Sequence, residues 1–275
     1  MIAIGERING QFTDVKQAIA DHDPAAIISL AKRQAEAGAA YLDINVGTAA
    51  ADQEGTIKWL VEVAQKAVPT PLCLDSQKPQ VIKAGLSVCD TARGVLLNST
   101  PLNKKSDPDV LNKYAEMAQG CNGSLIALTM DREGVPQSTD RRVEMAAEIL
   151  TKCMEIGITP ERLFIDPIIL PVNVPGAQSQ PVNIMAAIDQ IRLMSDPAPH
   201  ITMGLSNVSQ GTSERCLINR TFLAMVMAHG ADSAIVDVLD DALVDMVATV
   251  EMLMNKQIYS DSFLKAYRSV AGSMH

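Results

Sequence analysis

Short apolar runs alternate with longer amphipathic segments along the whole chain. The runs have the length of strands, and nearly every residue within them is apolar, which is typical of parallel strands buried on both faces. They predict eight strands at residues 2–5, 41–46, 72–74, 94–97, 124–129, 163–165, 201–205 and 234–238. The alternation therefore indicates an α/β protein.

The segments between these runs place apolar residues three and four positions apart, as on one face of a helix. Asp23 followed by Pro24 has the residue types that cap a helix and occupy its first turn. Asp107 followed by Pro108 gives the same signal. The pattern predicts eight helices at residues 24–39, 56–67, 79–88, 108–118, 140–156, 181–194, 219–228 and 241–254.

Eight strands that alternate with eight helices predict one (β/α)8 TIM barrel formed by residues 1–275 as a single domain with no linker. An open, doubly wound sheet is the competing arrangement. Such a sheet usually carries a GxGxxG turn after its first strand, and residues 5–10, Gly-Glu-Arg-Ile-Asn-Gly, lack that spacing. The count of eight favours the closed barrel.

Composition narrows the class of protein. The formal charge is -9 and aromatic residues make up 3%, which argues against a nucleic-acid binder because such a protein needs a basic face and stacking rings. No apolar segment approaches the roughly 18 residues of a membrane span, so we expect a cytoplasmic protein with no membrane partner. The five cysteines form no CxxC pair, and Cys73 lies inside a predicted strand. Reduced thiols in the core are therefore expected instead of disulfides or metal ligands.

Acids and amides stand at nearly every predicted strand end, where the chemistry of a barrel is located. Any one of them can be explained as a helix cap or a turn residue. Eight such ends around one mouth are harder to explain in that way. Asn207, which ends an apolar run between small and polar residues, looks like a site residue. The strand-end residues are Glu6, Arg7, Asp43, Asn45, Asp75, Asn98, Thr129, Asp131, Asp166, Asn207 and Asp237.

The residue types missing from the strand ends also narrow the chemistry. No lysine ends a strand, which disfavours a Schiff base, and Lys78 is expected to open a helix. None of the histidines stands there either, including His275 at the terminus, so a histidine-based metal centre is disfavoured. Carboxylates alone could hold Mg²⁺, which remains an alternative. The mixture of acids and amides favours a nitrogen-rich heterocycle whose edge offers both donors and acceptors.

Several of these strand ends carry ordered motifs. They are Ile-Gly-Glu-Arg-Ile-Asn-Gly at 4–10, Leu-Asp-Ile-Asn-Val-Gly at 42–47, Leu-Cys-Leu-Asp-Ser at 72–76, Asn-Ser-Thr at 98–100, Ile-Asp-Pro at 165–167 and Gly-Leu-Ser-Asn-Val-Ser at 204–209. Together they resemble the pterin-binding barrel family and, within it, the methyltetrahydrofolate:corrinoid methyltransferases. The resemblance covers essentially the whole chain. Dihydropteroate synthase belongs to the same family, but its Lys and Ser-x-Arg features are missing near Asn207.

The resemblance implies an enzyme that moves a methyl group between N5 of 5-methyltetrahydrofolate and the cobalt of a corrinoid, in either direction. Asp75, Asn98 and Asp166 match the pterin-binding residues of the family, and Asn207 matches the residue that hydrogen-bonds N5. Matching motifs add further substrate-binding candidates, which are Gly204, Ser206, Gln210, Arg215 and Glu6.

The chemistry of the leaving nitrogen suggests roles for the two candidate catalytic residues. N5 must become positive for its methyl group to leave, and an amide is too weak an acid to supply the proton. Asn207 would instead stabilise protonated N5 by accepting its hydrogen bond. The proton would come from solvent through Asp75 or a water molecule.

The chain has no DxHxxG cobalamin signature, so the cobalamin is expected on a separate corrinoid protein, with no metal bound by this chain. Methionines in the last two predicted helices are expected in the core or in a homodimer interface. The proline-rich loop at 171–181 suits a flap over the ligand. A dihydropteroate-synthase-like condensing enzyme and a non-catalytic folate-binding module remain as alternatives.

Overall fold

Eight parallel strands form one sheet with helices between them in the computed structural model, which describes residues 1–47 and 50–273, with side chains to residue 269. The sheet order is β7-β6-β5-β4-β3-β2-β1-β8, so the first strand lies between the second and the eighth. The architecture is a (β/α)8 barrel, which confirms the predicted fold. The strands are β1 Ile2–Asn9, β2 Tyr41–Asn45, β3 Leu72–Asp75, β4 Val95–Pro101, β5 Ser124–Leu128, β6 Leu163–Asp166, β7 His200–Ile201 and β8 Ser233–Val236.

The barrel closes between β7 and β8 through few hydrogen bonds. The backbone N–H of Ile235 donates to the Met203 carbonyl at 2.9 Å, and Gly204 forms an isolated parallel bridge with Ile235. The predicted seventh strand at 201–205 was wrong beyond Ile201, because Leu205–Asn207 form a 3₁₀ turn. Asn207 therefore sits in a turn after the strand and not at its last residue.

Ten helices lie in the described part of the chain, and eight of them correspond to the predicted set. The helices are α1 Thr13–Asp21, α2 Pro24–Glu36, α3 Gln53–Ala67, α4 Pro79–Leu86, α5 Val110–Gly120, α6 Thr139–Ile156, α7 Gln180–Ile191, α8 Arg215–His229, α9 Asp241–Leu253 and α10 Phe263–Ser273. The sequence reading missed α1 and α10.

The predicted helix starts were right in part. Asp23 caps α2 by accepting from the Ala25 N–H at 2.9 Å, and Lys78 immediately precedes α4. Asp107 does not start α5, because its carboxylate instead pairs with the Lys113 ammonium at 2.7 Å. No side chain caps α1 at Phe12, which explains why no start signal for this helix was found in the sequence.

The interior of the barrel positions the candidate site. Its apolar layer consists of Ile4, Cys73, Leu96, Ile126 and Phe164, all at most 2% exposed. Because side chains alternate along a strand, the residue two positions further on again points into the barrel. Those residues, one layer closer to the mouth, are Glu6, Asp75, Asn98, Leu128 and Asp166.

Two expectations from composition can be compared with the structure. No helix in the described ranges is long and apolar enough to cross a membrane. All five cysteines are free thiols. The expectation that they lie in the core was right for Cys73 and Cys153 but wrong for Cys216, which is exposed.

Candidate functional site

Two acid–amide pairs lie side by side across the ends of β2, β3 and β4. Asn45 and Asp75 are partners in the β2–β3 register, and Asp75 and Asn98 are partners in the β3–β4 register. The Asn45 Nδ2 donates to Asp75 Oδ2 at 2.5 Å, and the Asn98 Nδ2 donates to Asp43 Oδ1 at 3.1 Å. Asp43 and Asn45 therefore hold the two residues predicted to bind the ligand.

The two carboxylates of this group differ in depth and in protonation. Burial raises the pKa of Asp75 to about 6, against the opposing hydrogen bond from Asn45. Asp43 is only 2% exposed, and burial followed by repulsion from Asp75 raises its pKa well above the usual range. Asp75 can therefore gain or lose a proton near neutral pH, whereas Asp43 favours the protonated form.

Asp166 connects the end of β6 to the turn that carries Asn207. Its carboxylate accepts from the Ile168 N–H at 2.7 Å and from the Gly204 N–H. Burial raises the pKa of Asp166 to about 7, although both backbone donors and the nearby Arg142 oppose the rise. Asp166 is thus a second carboxyl group that titrates close to neutral pH.

The turn that carries Asn207 is fixed from both sides. The Ser206 hydroxyl donates to the Glu6 carboxylate and lies 2.9 Å from each of its oxygens. Arg215 donates to the Ser206 carbonyl and to the Ser209 hydroxyl, each at 3.3 Å. Burial raises the pKa of Glu6, against the hydrogen bond from Ser206. Glu6, Ser206 and Arg215 thus meet each other in one cluster beneath the turn.

Asn207 itself is exposed at the barrel mouth. Within the described part of the chain, its side-chain amide has no hydrogen-bond partner, so the amide is free to bind a ligand. A Cβ atom at Gly204 would lie 3.0 Å from the Asn207 Nδ2, tighter than most such contacts, so a glycine there leaves room for the amide. Gln210 is also exposed, and its N–H donates to the Asn207 carbonyl at 3.2 Å.

The predicted flap at 171–181 packs against this same turn. The Val172 N–H donates to the Val208 carbonyl at 3.0 Å. The base of the loop is held by Arg142, which is fully buried, donates to the Pro167 carbonyl at 2.9 Å and contacts Gln180. The loop and the Asn207 turn therefore form one continuous part of the rim, while its role as a flap stays a prediction.

Sequence reasoning missed Arg142, although a signal was present. Residues 142, 145, 149 and 153 are spaced like the apolar stripe of α6, and all four are buried. An arginine inside an apolar stripe indicates a buried cation that needs several acceptors. Asn45 was singled out only as one of the strand-end residues, because its bond to Asp75 depends on the register between strands.

Other strand-end residues make local contacts instead of joining the site. Arg7 pairs with Asp14 at 2.7 Å and covers the ring of Phe12. Asp131 pairs with Arg141 at 2.8 Å. These residues fit the turn and capping explanation that the sequence left open.

The described residues contain no group of three or more His, Cys, Asp or Glu side chains that could hold a metal ion. His200 lies in β7, where its Nδ1 is 2.7 Å from Asp232, at the end of the strand away from the mouth. His275 is outside the described residues.

Comparison with known families decides the class of this barrel. The sequence profile of the family described as pterin binding enzyme matches residues 9–237. This chain belongs to the pterin-binding enzyme family. The predicted family resemblance is thereby confirmed, and the acids and amides described above lie at the mouth of a pterin-binding barrel.

Two relatives of this pterin-binding enzyme match most of its length. The chain is 34% identical to the methylcorrinoid:tetrahydrofolate methyltransferase of Eubacterium limosum, over 98% of this chain and 96% of that protein. It is 28% identical to the methionine synthase of Mycobacterium leprae, over 86% of this chain but only 20% of that protein.

Solved structures support the fold. The dihydropteroate synthase of Yersinia pestis, solved with a pterine-sulfa conjugate, superposes with a TM-score of 0.64 at 16% identity, over 92% of this chain and 93% of that one. The enzyme of Xanthomonas albilineans, solved with 7,8-dihydropteroate, gives 0.61 at 19% identity over 94% of each chain. At such low identities the likeness concerns the barrel alone.

Proposed function

We propose that this pterin-binding enzyme is a methyltransferase that moves a methyl group between a methyl-corrinoid, carried by a separate protein, and N5 of tetrahydrofolate. The observation that carries the proposal is the similarity over 98% of the chain to a relative named for this reaction. That name also supports methylation of tetrahydrofolate as the direction. The amides and carboxylates at the mouth suit a pterin ring, since its edge mixes N–H donors with acceptors.

The proposed pterin site uses Asp75, Asn98 and Asp166. The Asn98 Nδ2 donates to Asp43, so the side-chain oxygen Oδ1 of Asn98 is left for an N–H group of the ring. Asp75 has one oxygen bonded to Asn45 and the other left for a second donor. These acceptors would fix the plane of the ring and aim N5 toward the Asn207 turn. Gly204, Ser206, Gln210, Arg215 and Glu6 would shape and support the part of the site nearest N5.

The proposed reaction places positive charge on N5. The N5 lone pair attacks the methyl carbon, the bond from that carbon to cobalt breaks, and its electron pair stays with the cobalt. N5 then carries both the methyl group and its original proton. Asn207 accepts a hydrogen bond from this N–H through its carbonyl oxygen, which stabilises charge as it develops. The proton leaves to solvent through Asp75 or through a water molecule. Asp75 can serve because its pKa of about 6 lets it accept and then release a proton near neutral pH.

The proposed assembly includes a corrinoid protein over the mouth, a homodimer and a cytoplasmic location. The cobalamin is a substrate brought by that protein, and no metal bound by this chain takes part. Exposed apolar side chains support the homodimer, since Leu193 is 85% exposed, Met154 51% and Met225 43%. By contrast Met227, another methionine of α8, is buried. Covering such apolar area stabilises subunit association.

Free cobalamin provides the test of this proposal. The protein is mixed with methylcob(III)alamin and tetrahydrofolate without oxygen, and cob(I)alamin is followed by absorbance while 5-methyltetrahydrofolate is measured by chromatography. Equal amounts of both products are expected only in the presence of the protein. Binding of tetrahydrofolate without transfer in either direction would identify a folate-binding module. Formation of dihydropteroate from a pterin diphosphate and p-aminobenzoate would identify the condensing enzyme instead.

A further inference from the structure

Both polar atoms of the Asn45 side-chain amide form hydrogen bonds, and these two bonds determine the orientation of the amide. Its Oδ1 accepts from the backbone N–H of Gly47 at 2.7 Å. A backbone N–H can only donate, so this contact requires an oxygen at that end of the amide. The Nδ2 then points at Asp75 and donates to its Oδ2 at 2.5 Å.

The backbone that presents the Gly47 N–H is itself held in place. The Gly10 N–H donates to the Asn45 carbonyl at 2.8 Å, and the Gln53 Nε2 donates to the Gly47 carbonyl at 3.1 Å. A Cβ atom at Gly10 would lie 2.4 Å from the Val46 carbonyl, and Gly47 has a φ of +71°. Two glycines thus allow the ends of β1 and β2 to approach closely enough to orient the Asn45 amide.

The surroundings of Asp75 give this amide an electrostatic role. The titratable groups that face Asp75 are Asp43 from β2, Cys73 below it on β3 and Tyr114 from α5, and burial raises the pKa of each. None of these groups is a cation. The hydrogen bond from Asn45 is the contact that opposes burial in lowering the pKa of Asp75.

We propose that Asn45 is a positioning residue that fixes one oxygen of Asp75, stabilises the ionised form of that carboxylate and leaves its other oxygen for the ligand. Asn45 acts through Asp75 and does not itself touch the substrate. The inference rests on the proposed function only for the identity of that ligand. The bond between the two side chains and its effect on the titration of Asp75 belong to the free protein.

Titration of the free protein tests this role without any ligand. The carboxyl carbons of aspartate are labelled with ¹³C, and the Asp75 signal is assigned by its loss in Asp75→Asn. Asn45→Ala removes the donor, so the midpoint of the Asp75 titration should move upward by about one pH unit, the effect of losing one hydrogen bond to a charged group. The matched control is Gln65→Ala, which removes an amide with two backbone bonds, to Val88 and Asp90, outside the site.

A second variant distinguishes loss of the hydrogen bond to Asp75 from a local change in the fold. Asn45→Asp keeps an oxygen for the Gly47 N–H but replaces the donor by a carboxyl group that shares a proton with Asp75. The pair should then titrate in two steps, and the last proton should leave at a higher pH than the wild-type midpoint. The inference would be overturned if the Asp75 titration in both Asn45 variants were unchanged from the wild type and therefore no different from that of the control Gln65→Ala.

Ligand binding gives the second readout. Tetrahydrofolate affinity of Asn45→Ala, measured by calorimetry, should fall by up to about tenfold at and below pH 6 and recover as pH rises and Asp75 ionises in the variant as well. The same substitution made in an Asp75→Asn background should add no further pH-dependent loss, because the residue through which it acts is gone. A uniform loss at every pH in both backgrounds would assign Asn45 a purely structural role. If the wild type binds no tetrahydrofolate, the proposed function fails while the NMR result still decides the role of Asn45.

Discussion

Replacing Asn207 by alanine separates catalysis from folding and binding more cleanly than any other change in this site. The side chain is exposed, and its amide makes no hydrogen bond within the described residues. Its loss should therefore change the free energy of unfolding by no more than about 0.5 kcal/mol, as for other surface substitutions. Thermal unfolding of Asn207→Ala checks this first expectation.

The expected losses in affinity and in rate differ in size. In the ground state Asn207 offers one hydrogen bond to a neutral amine, worth about 0.5–1.5 kcal/mol, so affinity for tetrahydrofolate should fall by roughly tenfold or less. In the transition state N5 becomes positive, and losing one preorganised group there typically lowers the rate by about 10²–10³-fold. The rate should thus fall at least about tenfold more than the affinity.

Single-turnover transfer from methylcob(III)alamin to tetrahydrofolate at several pH values, beside calorimetric affinities, measures both quantities. Asn112→Ala is the matched control, because it removes an amide from α5 on the outside of the barrel. Equal losses in rate and affinity would make Asn207 a binding residue only. No loss in either quantity would remove it from the site.

Four other outcomes follow from the contacts. Asp166→Ala should weaken tetrahydrofolate binding by about 1–3 kcal/mol, measured by calorimetry, because ligand donors lose their partner. The folded-state pKa of Asp166, about 7, exceeds its unfolded value, so the stability of the wild type relative to Asp166→Asn should fall as pH rises from about 4 to 7; a flat difference in urea unfolding would contradict this. Arg142→Ala should cost about 3–5 kcal/mol in urea unfolding, since it leaves the Pro167 carbonyl and Gln180 without their buried donor, whereas the exposed Arg132→Ala should change little. Chelators should leave methyl transfer intact, and loss that added metal restores would show that a metal takes part.

The alternation of apolar runs and helices was enough to predict the barrel, because a parallel strand that is buried on both faces consists almost entirely of apolar residues. The same signal misled at the seventh strand. Met203 and Leu205 are buried as strongly as strand residues, but Met203 lies beyond the end of β7 and Leu205 begins a 3₁₀ turn. An apolar run shows that its residues are buried, but it does not show whether their backbone pairs with a neighbouring strand.

The sequence placed the acids and amides at the mouth but not their bonds to one another. Asp75 and Asn98 could be located because they lie two residues beyond interior apolar positions. Their pairing with Asn45 and Asp43 depends on the register between neighbouring strands, which periodicity does not contain. Likewise, nothing local in residues 4–10 indicates that Glu6 would meet Ser206.

The bond between Glu6 and Ser206 joins residues 200 positions apart and has a consequence for synthesis on the ribosome. At about 5–20 residues per second, Glu6 is added to the chain roughly 10–40 s before Ser206. For that interval the first strand carries an inward-facing carboxylate without its partner. Nascent chains and truncated products thus lack the Asn207 turn in its working form. Catalytic competence would appear late and all at once, when the turn after the seventh strand reaches Glu6 of the first.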